Sequence, residues 1–149
     1  MRYQIGSIGR MIIVRFDDGD NLLDCLINIA KTEDVRAGII YLIGGMREGN
    51  VVVGPKRDEI PPEPMWWRFN ECHEVMGIGT VFWQDNEPRI HIHTAFGKGD
   101  NAKVGCLRDN GLTFLVLEAV IMEINGVNAV REIDPVSGMS LLKITKTHR

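Results

Sequence analysis

The chain has 149 residues, of which 44% are hydrophobic and 25% are charged, and this balance is typical of one folded, water-soluble domain. Its formal net charge of −3 lacks the basic excess of most nucleic-acid-binding proteins, which disfavours DNA as a partner. The three cysteines show no paired spacing, so we expect no disulfide framework and a reducing, cytoplasmic environment. The first ten residues contain no continuous apolar stretch, and we expect neither a signal peptide nor a membrane span.

The first third of the chain predicts a strand, a helix and two further strands. RMIIVRF (10–16) is rich in β-branched residues, which favour strands. Over 21–34, apolar residues recur at helical spacing, and the carboxylate of Asp20 is the predicted N-cap. RAGIIYLIGGMREG (36–49) predicts a strand that ends at a Gly-Gly turn, and NVVVGP (50–55) predicts another short strand.

The middle of the chain predicts a loop followed by two strands. Segment 56–67 holds three of the six prolines, which favours an irregular loop with room for an edge segment. HEVMGIGTVFW (73–83) predicts a strand or strand pair, and RIHIHTAF (89–96) predicts a strand because polar and apolar residues alternate. A second helix is a candidate over 101–109, although the glycine within that segment disfavours it.

The last third predicts strands joined by turns. GLTFLVLEAVIMEINGV (111–127) is a long strand-like run, and its Asn125-Gly126 pair predicts a hairpin turn into AVREID (129–134). MSLLKI (139–144) predicts the last strand. Together these elements predict one α+β domain over 1–149, with a mostly antiparallel central sheet and one or two packed helices.

Three metal-binding residue types fall close together in the segment RIHIHTAFGKGDNAKVGCL. Alternation on a strand places His91 and His93 on one face, with Cα atoms roughly 6.5–7 Å apart, so both imidazoles can reach one ion. Cys106 follows after a twelve-residue, glycine-containing stretch that is long enough to fold back, and it would complete a three-ligand site with an open fourth position, as in catalytic zinc sites. Alternatively, the histidines are exposed or interface residues and Cys106 is an inert buried thiol. His73 is a further candidate ligand, whereas His148 is expected to be solvated.

Other polar and aromatic residues are weaker candidates for a site. Glu118 and Glu123 interrupt an apolar run and, being five residues apart, face opposite sides of a regular strand. A buried carboxylate of this kind is a candidate acid or base, and a solvent-facing or edge position is the alternative interpretation. The side chains of Trp66, Trp67 and Arg68 would either stack on a ligand or pack a loop onto the core.

Three stretches of the chain resemble the plant and prokaryote conserved (PPC) domain, a family often described as DNA-binding. The resemblance extends from about residue 8 to 145 and includes the strand LEAVIMEI (117–124). The three stretches are RFDDGDNLLDCLINIAKTEDVRAGIIYLIGGMREGNVVV (15–53), ECHEVMGIGTV (71–81) and PRIHIHTAFGKGDNAKVGCL (88–107).

The resemblance implies a single α+β domain with a central antiparallel sheet, assembled as a homotrimer. In that family two strand histidines and the histidine of a Gly-Gly-His-Leu motif form a metal site, and His91 and His93 match the first two. Where Gly-Gly-His-Leu is expected, this chain has Val-Gly-Cys-Leu (104–107), so Cys106 takes the third position. Zinc, about one ion per chain, is the metal that this pattern implies. More distantly, the pattern is similar to the zinc site of acetolactate decarboxylases.

Three functions follow as hypotheses. The first is a homotrimeric protein that binds a divalent metal through the three ligands. The second is a metal-dependent enzyme, lyase- or hydrolase-like, acting on a small organic acid or carbonyl compound. In that case Glu74 or Glu118 would act as acid or base, and Arg68 or Arg108 would hold a carboxylate. The third is a DNA-associated protein, which the acidic charge and the lack of the Arg-Gly-Arg-Pro hooks of plant members disfavour.

Overall fold

Residues 1–145 of the computed structural model form eight β-strands and one α-helix. The helix is α1 (Leu22–Thr32), and the strands are β1 (Ser7–Asp17), β2 (Ala37–Pro55), β3 (Pro64–Phe69), β4 (His73–Gln84), β5 (Glu87–Lys98), β6 (Asn101–Asn125), β7 (Ala129–Ile133) and β8 (Ser140–Ile144). His148 lies outside the described residues. With 11 residues, α1 is too short to cross a membrane, and it is the sole helix within 1–145.

Six strands form one antiparallel sheet that closes on itself. The strand order is β1-β6-β5-β4-β2-β3, and β2 also pairs with β6. Strand β2 therefore bonds to β4 on one side and to β6 on the other, while β5 connects β4 to β6. This arrangement confirms the predicted mostly antiparallel sheet of a single-domain α+β fold.

The core lies between the inner face of this sheet and α1. The helix buries Leu22, Leu26 and Ala30, which share one face at helical spacing, and it packs against β5 and β6. Ile92 of β5 is fully buried, so its neighbours on either side in the strand point outward. Burying a leucine or isoleucine side chain of this size stabilises the fold by about 1.5–3 kcal/mol. The core therefore fixes which face of β5 is directed away from it.

Two local predictions for the first half of the chain were wrong. The helix is capped by Asn21, whose Oδ1 accepts from the amides of Leu23 and Asp24, whereas the carboxylate of Asp20 accepts from the amide of Asp17. The predicted Gly-Gly turn is not a chain reversal, because β2 runs through it to Pro55. The first glycine of that pair has φ +137°, and the register with β6 shifts there, so the pair bends a continuous strand.

Two predictions for the second half of the chain were also wrong. Segment 101–109 is part of the strand β6, not a second helix. The Asn125-Gly126 pair does not join β6 to β7 in a hairpin, because β6 pairs with β1 while β7 pairs with β8. The small β7–β8 sheet lies against β4 and brings Arg131 to that strand.

Candidate metal centre

The hairpin formed by β5 and β6 brings the predicted ligands together. The two strands pair from His93 opposite Cys106 to Lys98 opposite Asn101, around a turn at 99–100. Gly99 has φ +56°, which glycine adopts at little cost. Directly opposed residues in an antiparallel pair point to the same face, so His93 and Cys106 share a face, and His91 joins them from two residues away.

The three donor groups lie within bonding reach of one ion. The Nε2 atoms of His91 and His93 are 3.2 Å apart, and the two rings are perpendicular, with centroids 5.0 Å apart. With the sulfur of Cys106, all three donor atoms lie within 4.8 Å of one another. On a tetrahedral zinc ion with bonds of about 2.0–2.3 Å, neighbouring donors lie roughly 3.3–3.8 Å apart. The residues therefore fit zinc with a small inward rotation of side chains.

Gly105 allows β6 to approach β2 closely just before the cysteine. A Cβ atom at this position would lie 2.5 Å from a methyl carbon of Val51 and 2.6 Å from the carbonyl oxygen of Val52. Both distances are shorter than any side chain tolerates, so a larger residue would push the strands apart. Glycine here sets the position of Cys106 relative to the histidines.

The protonation states of the two flanking ligands differ. His91 is exposed at the rim, but loss of hydration on its inner side lowers its pKa from 6.5 to about 4, and the nearby charges of Arg131 and Arg108 act in the same direction. The imidazole is therefore neutral at pH 7 and can donate a lone pair. Burial raises the pKa of the Cys106 thiol, so the metal-free cysteine is protonated and must lose a proton to bind an ion.

A groove of about 1080 Å³ opens beside the three ligands. Its walls are largely apolar and include Trp66, prolines from the β2–β3 connection and Leu141 of β8. Its charged side chains are three arginines, Arg89, Arg108 and Arg131, and no carboxylate of the described residues lines it. The groove is therefore cationic at the end that holds the histidines and apolar elsewhere.

Arg131 is a residue of the site that the sequence analysis missed. It is 7% exposed, and its two terminal nitrogens donate to the carbonyl of Ser140 and to the hydroxyl of Thr80, both at 3.1 Å. Its Nε is buried without a hydrogen-bond partner. Burial lowers the pKa of this guanidinium. The pattern AVREID gave no signal, since an arginine on a short strand is usually exposed.

Most other predicted site residues lie elsewhere. His73 is buried in an aromatic cluster with Trp67 and Phe69, and its Nδ1 lies 2.7 Å from the carbonyl oxygen of Glu71, so it does not join the metal-ligand group. Trp66 lines the groove, and Trp67 packs against the core, as the loop-packing interpretation expected. Arg108 lines the groove.

The proposed acid and base carboxylates are outside the groove. Glu74, Glu118 and Arg68 are exposed and do not line it. Glu118 borders a separate shallow pocket on the outer face of the sheet. Glu123 points to the opposite side and accepts hydrogen bonds from Arg10. Any acid or base at the groove must therefore come from the ligand residues themselves or from solvent.

A model of the Plants and Prokaryotes Conserved (PCC) domain matches residues 3–125. The chain belongs to this family. It is the PPC family that the sequence resemblance indicated, and the match includes β5, the β5–β6 turn and Cys106. The β7–β8 sheet with Arg131 lies beyond the matched residues. A comparison with curated proteins found no match.

Solved structures of PPC-like proteins share the fold over nearly the whole chain. A PPC protein from Pyrococcus horikoshii is 26% identical, with a TM-score of 0.83, covering 98% of this chain and 99% of that one. A metal-containing protein from Archaeoglobus fulgidus is 23% identical, with a TM-score of 0.83, covering 95% and 98%. A candidate DNA-binding protein from Bacteroides thetaiotaomicron is 19% identical, with a TM-score of 0.79, covering 96% and 100%. These likenesses establish the PPC fold for this chain.

Proposed function

We propose that this PPC-domain protein binds one zinc ion per chain through His91, His93 and Cys106, and that it assembles as a homotrimer. The convergence of the three donor atoms within 4.8 Å carries the metal proposal. Two imidazoles and a thiolate favour zinc over the hard ions magnesium and calcium, which prefer oxygen ligands. The fold relative from Archaeoglobus fulgidus, described as metal-containing, adds support.

The residues of the site are prepared for the ion in different ways. His91 is neutral at pH 7 because of its lowered pKa, so it binds without losing a proton. Cys106 is held in place by the close approach at Gly105 and provides the negative charge once its thiol has ionised. When bound with an open coordination position, zinc supplies Lewis acidity towards a carbonyl or a water molecule.

Metal analysis tests this proposal. We expect about one zinc per chain in the purified protein by elemental analysis, and loss of zinc in His91→Ala/His93→Ala. Cys106→Ser should also reduce the zinc content, whereas Cys72→Ser should retain it, because Cys72 is an exposed free cysteine outside the group. A wild-type protein without zinc, even after zinc is added, would refute the proposal.

An exposed apolar face supports the homotrimer. Five side chains on β1, β2 and β4 are between 44% and 74% exposed: Ile13, Tyr41, Ile43, Met76 and Ile78. Cross-strand pairing places them side by side on the outer face of the sheet, because Tyr41 opposes Ile78 and Val120, and Val120 opposes Ile13. A contiguous apolar surface of this kind is typical of a subunit interface.

This apolar face reaches the metal centre. Ile78 on β4 is the cross-strand partner of His93, so the last apolar residue of the face adjoins a ligand. An interface that covers the face would shield the histidines from bulk water and would couple assembly to metal binding.

Light scattering after size-exclusion chromatography tests the assembly. We expect a mass of three chains for the wild type and of one chain for Ile43→Arg, because a charge on the face cannot be buried without a partner. Ile60→Arg is the matched control, since Ile60 is 72% exposed in the loop between β2 and β3. A monomeric wild type at micromolar concentration would exclude the trimer.

A metal-dependent enzyme acting on a small organic acid or carbonyl compound is the second candidate function. The groove of about 1080 Å³ beside the ligands favours it, because a purely structural metal site needs no adjoining groove. Turnover of small 2-oxo or 2-hydroxy acids that is lost in His91→Ala/His93→Ala would support it. DNA binding is disfavoured by the net charge of −3, and shifts of labelled duplex at low salt would test it.

A further inference from the structure

Arg131 is a buried cation without an anionic partner. It is 7% exposed, and none of the ion pairs among residues 1–145 involves it. Its two hydrogen bonds go to a carbonyl and a hydroxyl, which are neutral, and its Nε has no partner. A buried guanidinium normally pairs with a carboxylate or phosphate, because removing it from water is costly. Within residues 1–145 no carboxylate pairs with this guanidinium, which leaves it available to an external anion.

The position of Arg131 connects such an anion to the metal centre. Its guanidinium donates to the hydroxyl of Thr80, and Thr80 is the cross-strand partner of His91. Directly opposed side chains have Cβ atoms about 4.5–5.5 Å apart, so the guanidinium lies about one side-chain length from the ligand. Arg131 and His91 also line the same groove.

The surroundings of Arg131 favour an organic acid as the occupant. Arg108 and Arg89 line the same groove, and neither forms an ion pair among the described residues. The opposite walls are apolar, with the ring of Trp66 and the side chain of Leu141. A planar guanidinium matches a carboxylate through two parallel hydrogen bonds. The apolar walls accommodate a hydrocarbon or aromatic body attached to that carboxylate.

We propose that Arg131, assisted by Arg108, binds the carboxylate of a 2-oxo or 2-hydroxy acid whose second oxygen faces the metal centre. About one side-chain length separates the guanidinium of Arg131 from His91. This distance fits an acid in which the carbon next to the carboxylate carries the second oxygen. The body of the acid lies along the apolar walls of the groove. The position of the second oxygen rests on the proposed metal site. The binding of the carboxylate by Arg131 does not depend on that site.

Calorimetric titration of the metal-loaded protein with acids and their amides tests the proposal. The probes are pyruvate against pyruvamide and mandelate against mandelamide, which differ in the charge of one group. We expect each acid to bind at least about tenfold more tightly than its amide, because a hydrogen-bonded charge pair is lost in the amide. Arg131→Gln should weaken acid binding by a similar factor, with unchanged zinc content. Arg68→Gln, an exposed arginine outside the groove, should bind as the wild type does.

Two further measurements separate the possible failures. In wild-type protein, the Arg131 Nε–H resonance should shift with mandelate and stay in place with mandelamide, a readout that needs no folded variant at position 131. The same titration on metal-free protein tests the carboxylate site by itself. If the metal-free protein still prefers the acid to the amide, and the protein also fails to bind added zinc, then the metal site is refuted and the carboxylate site stands. Equal binding of acids and amides, or full acid binding by Arg131→Gln, would overturn the proposal.

Discussion

Acidifying the metal-free protein from pH 7 to pH 4 should remove stability that depends on His91. Its pKa is lowered from 6.5 to about 4 in the folded chain, first by loss of hydration and then by neighbouring positive charges. Between these two values the unfolded chain binds a proton at this residue and the folded chain does not. Protons therefore favour the unfolded state in this window, so stability is fully present above pH 6.5 and declines as the pH falls towards 4.

The size of the effect follows from the two pKa values. A fall from 6.5 to about 4 corresponds to an upper limit of about 3.4 kcal/mol, at about 1.36 kcal/mol per pH unit. His91 is exposed on one side, and water screens its interactions with neighbouring charges. We therefore expect a loss of about 1 kcal/mol attributable to this residue.

Urea unfolding of chelator-treated protein at pH 7.5 and pH 4.5 measures the effect. The informative quantity is the change in unfolding free energy between the two pH values in wild type minus the same change in His91→Gln. This difference cancels the other titrating groups, and glutamine retains polarity without the charge. If both proteins lost the same free energy on acidification, the imidazole would not be desolvated, and the reasoning about a neutral ligand would fail.

Three other perturbations have defined outcomes. Zinc binding at pH 7 should release about one proton per ion, because the raised pKa of the Cys106 thiol keeps it protonated in the metal-free protein. Calorimetry in buffers of different ionisation enthalpy measures the number of protons released, and Cys106→Ser should release none. Gly105→Ala should destabilise the fold by about 1–3 kcal/mol and lower zinc affinity, whereas Gly97→Ala, whose Cβ would have its nearest contact at 3.9 Å, should do neither. Leu26→Ala should cost about 2–5 kcal/mol in urea unfolding, against less than about 0.5 kcal/mol for Asn28→Ala on the exposed helix face.

The strand that carries the histidines could be predicted from local pattern alone. In RIHIHTAF the apolar residues alternate with polar ones, and Ile92 is indeed fully buried between the two histidines. Alternation therefore placed His91 and His93 on one outward face before any pairing was known. The proximity of Cys106 depends on the turn at 99–100 and on its pairing with His93. Residue type and spacing made Cys106 a candidate ligand, and the family resemblance pointed to the same residue, but neither gave the pairing itself.

The wrong predictions concern segments whose conformation is set by distant partners. Segment 101–109 has no strong local preference, but β5 pairs with its beginning and β2 with its later residues, which makes it a strand. The Gly-Gly pair is a turn signal in isolation. In the fold, Gly44 instead bends β2 while the strand continues to pair with β6 across a register shift. Tertiary pairing overrides local propensity in both cases.

Arg131 shows the limit of sequence reasoning at the site. Neighbouring residues in AVREID do not distinguish a buried arginine from an exposed one. Its burial follows from the packing of the β7–β8 sheet against β4, and its role depends on Thr80, which is 51 residues away in the chain. A polar residue whose partner is set by such a long-range contact leaves no periodic signal.

Charge balance connects the proposed metal centre to the proposed organic acid. A zinc ion bound by two neutral imidazoles and one thiolate retains a single positive charge. Three arginines line the same groove, and no carboxylate among the described residues does so. A closed structural site would need no further anion, because a fourth protein ligand would complete its coordination. In the proposed zinc site, the excess of positive charge beside an open position would favour an anionic ligand over a neutral one. Replacing the thiolate of Cys106 by a neutral histidine should then strengthen acid binding further. Cys106→His therefore provides a direct comparison: tighter mandelate binding at equal zinc content would support the electrostatic reasoning, and weaker binding would contradict it.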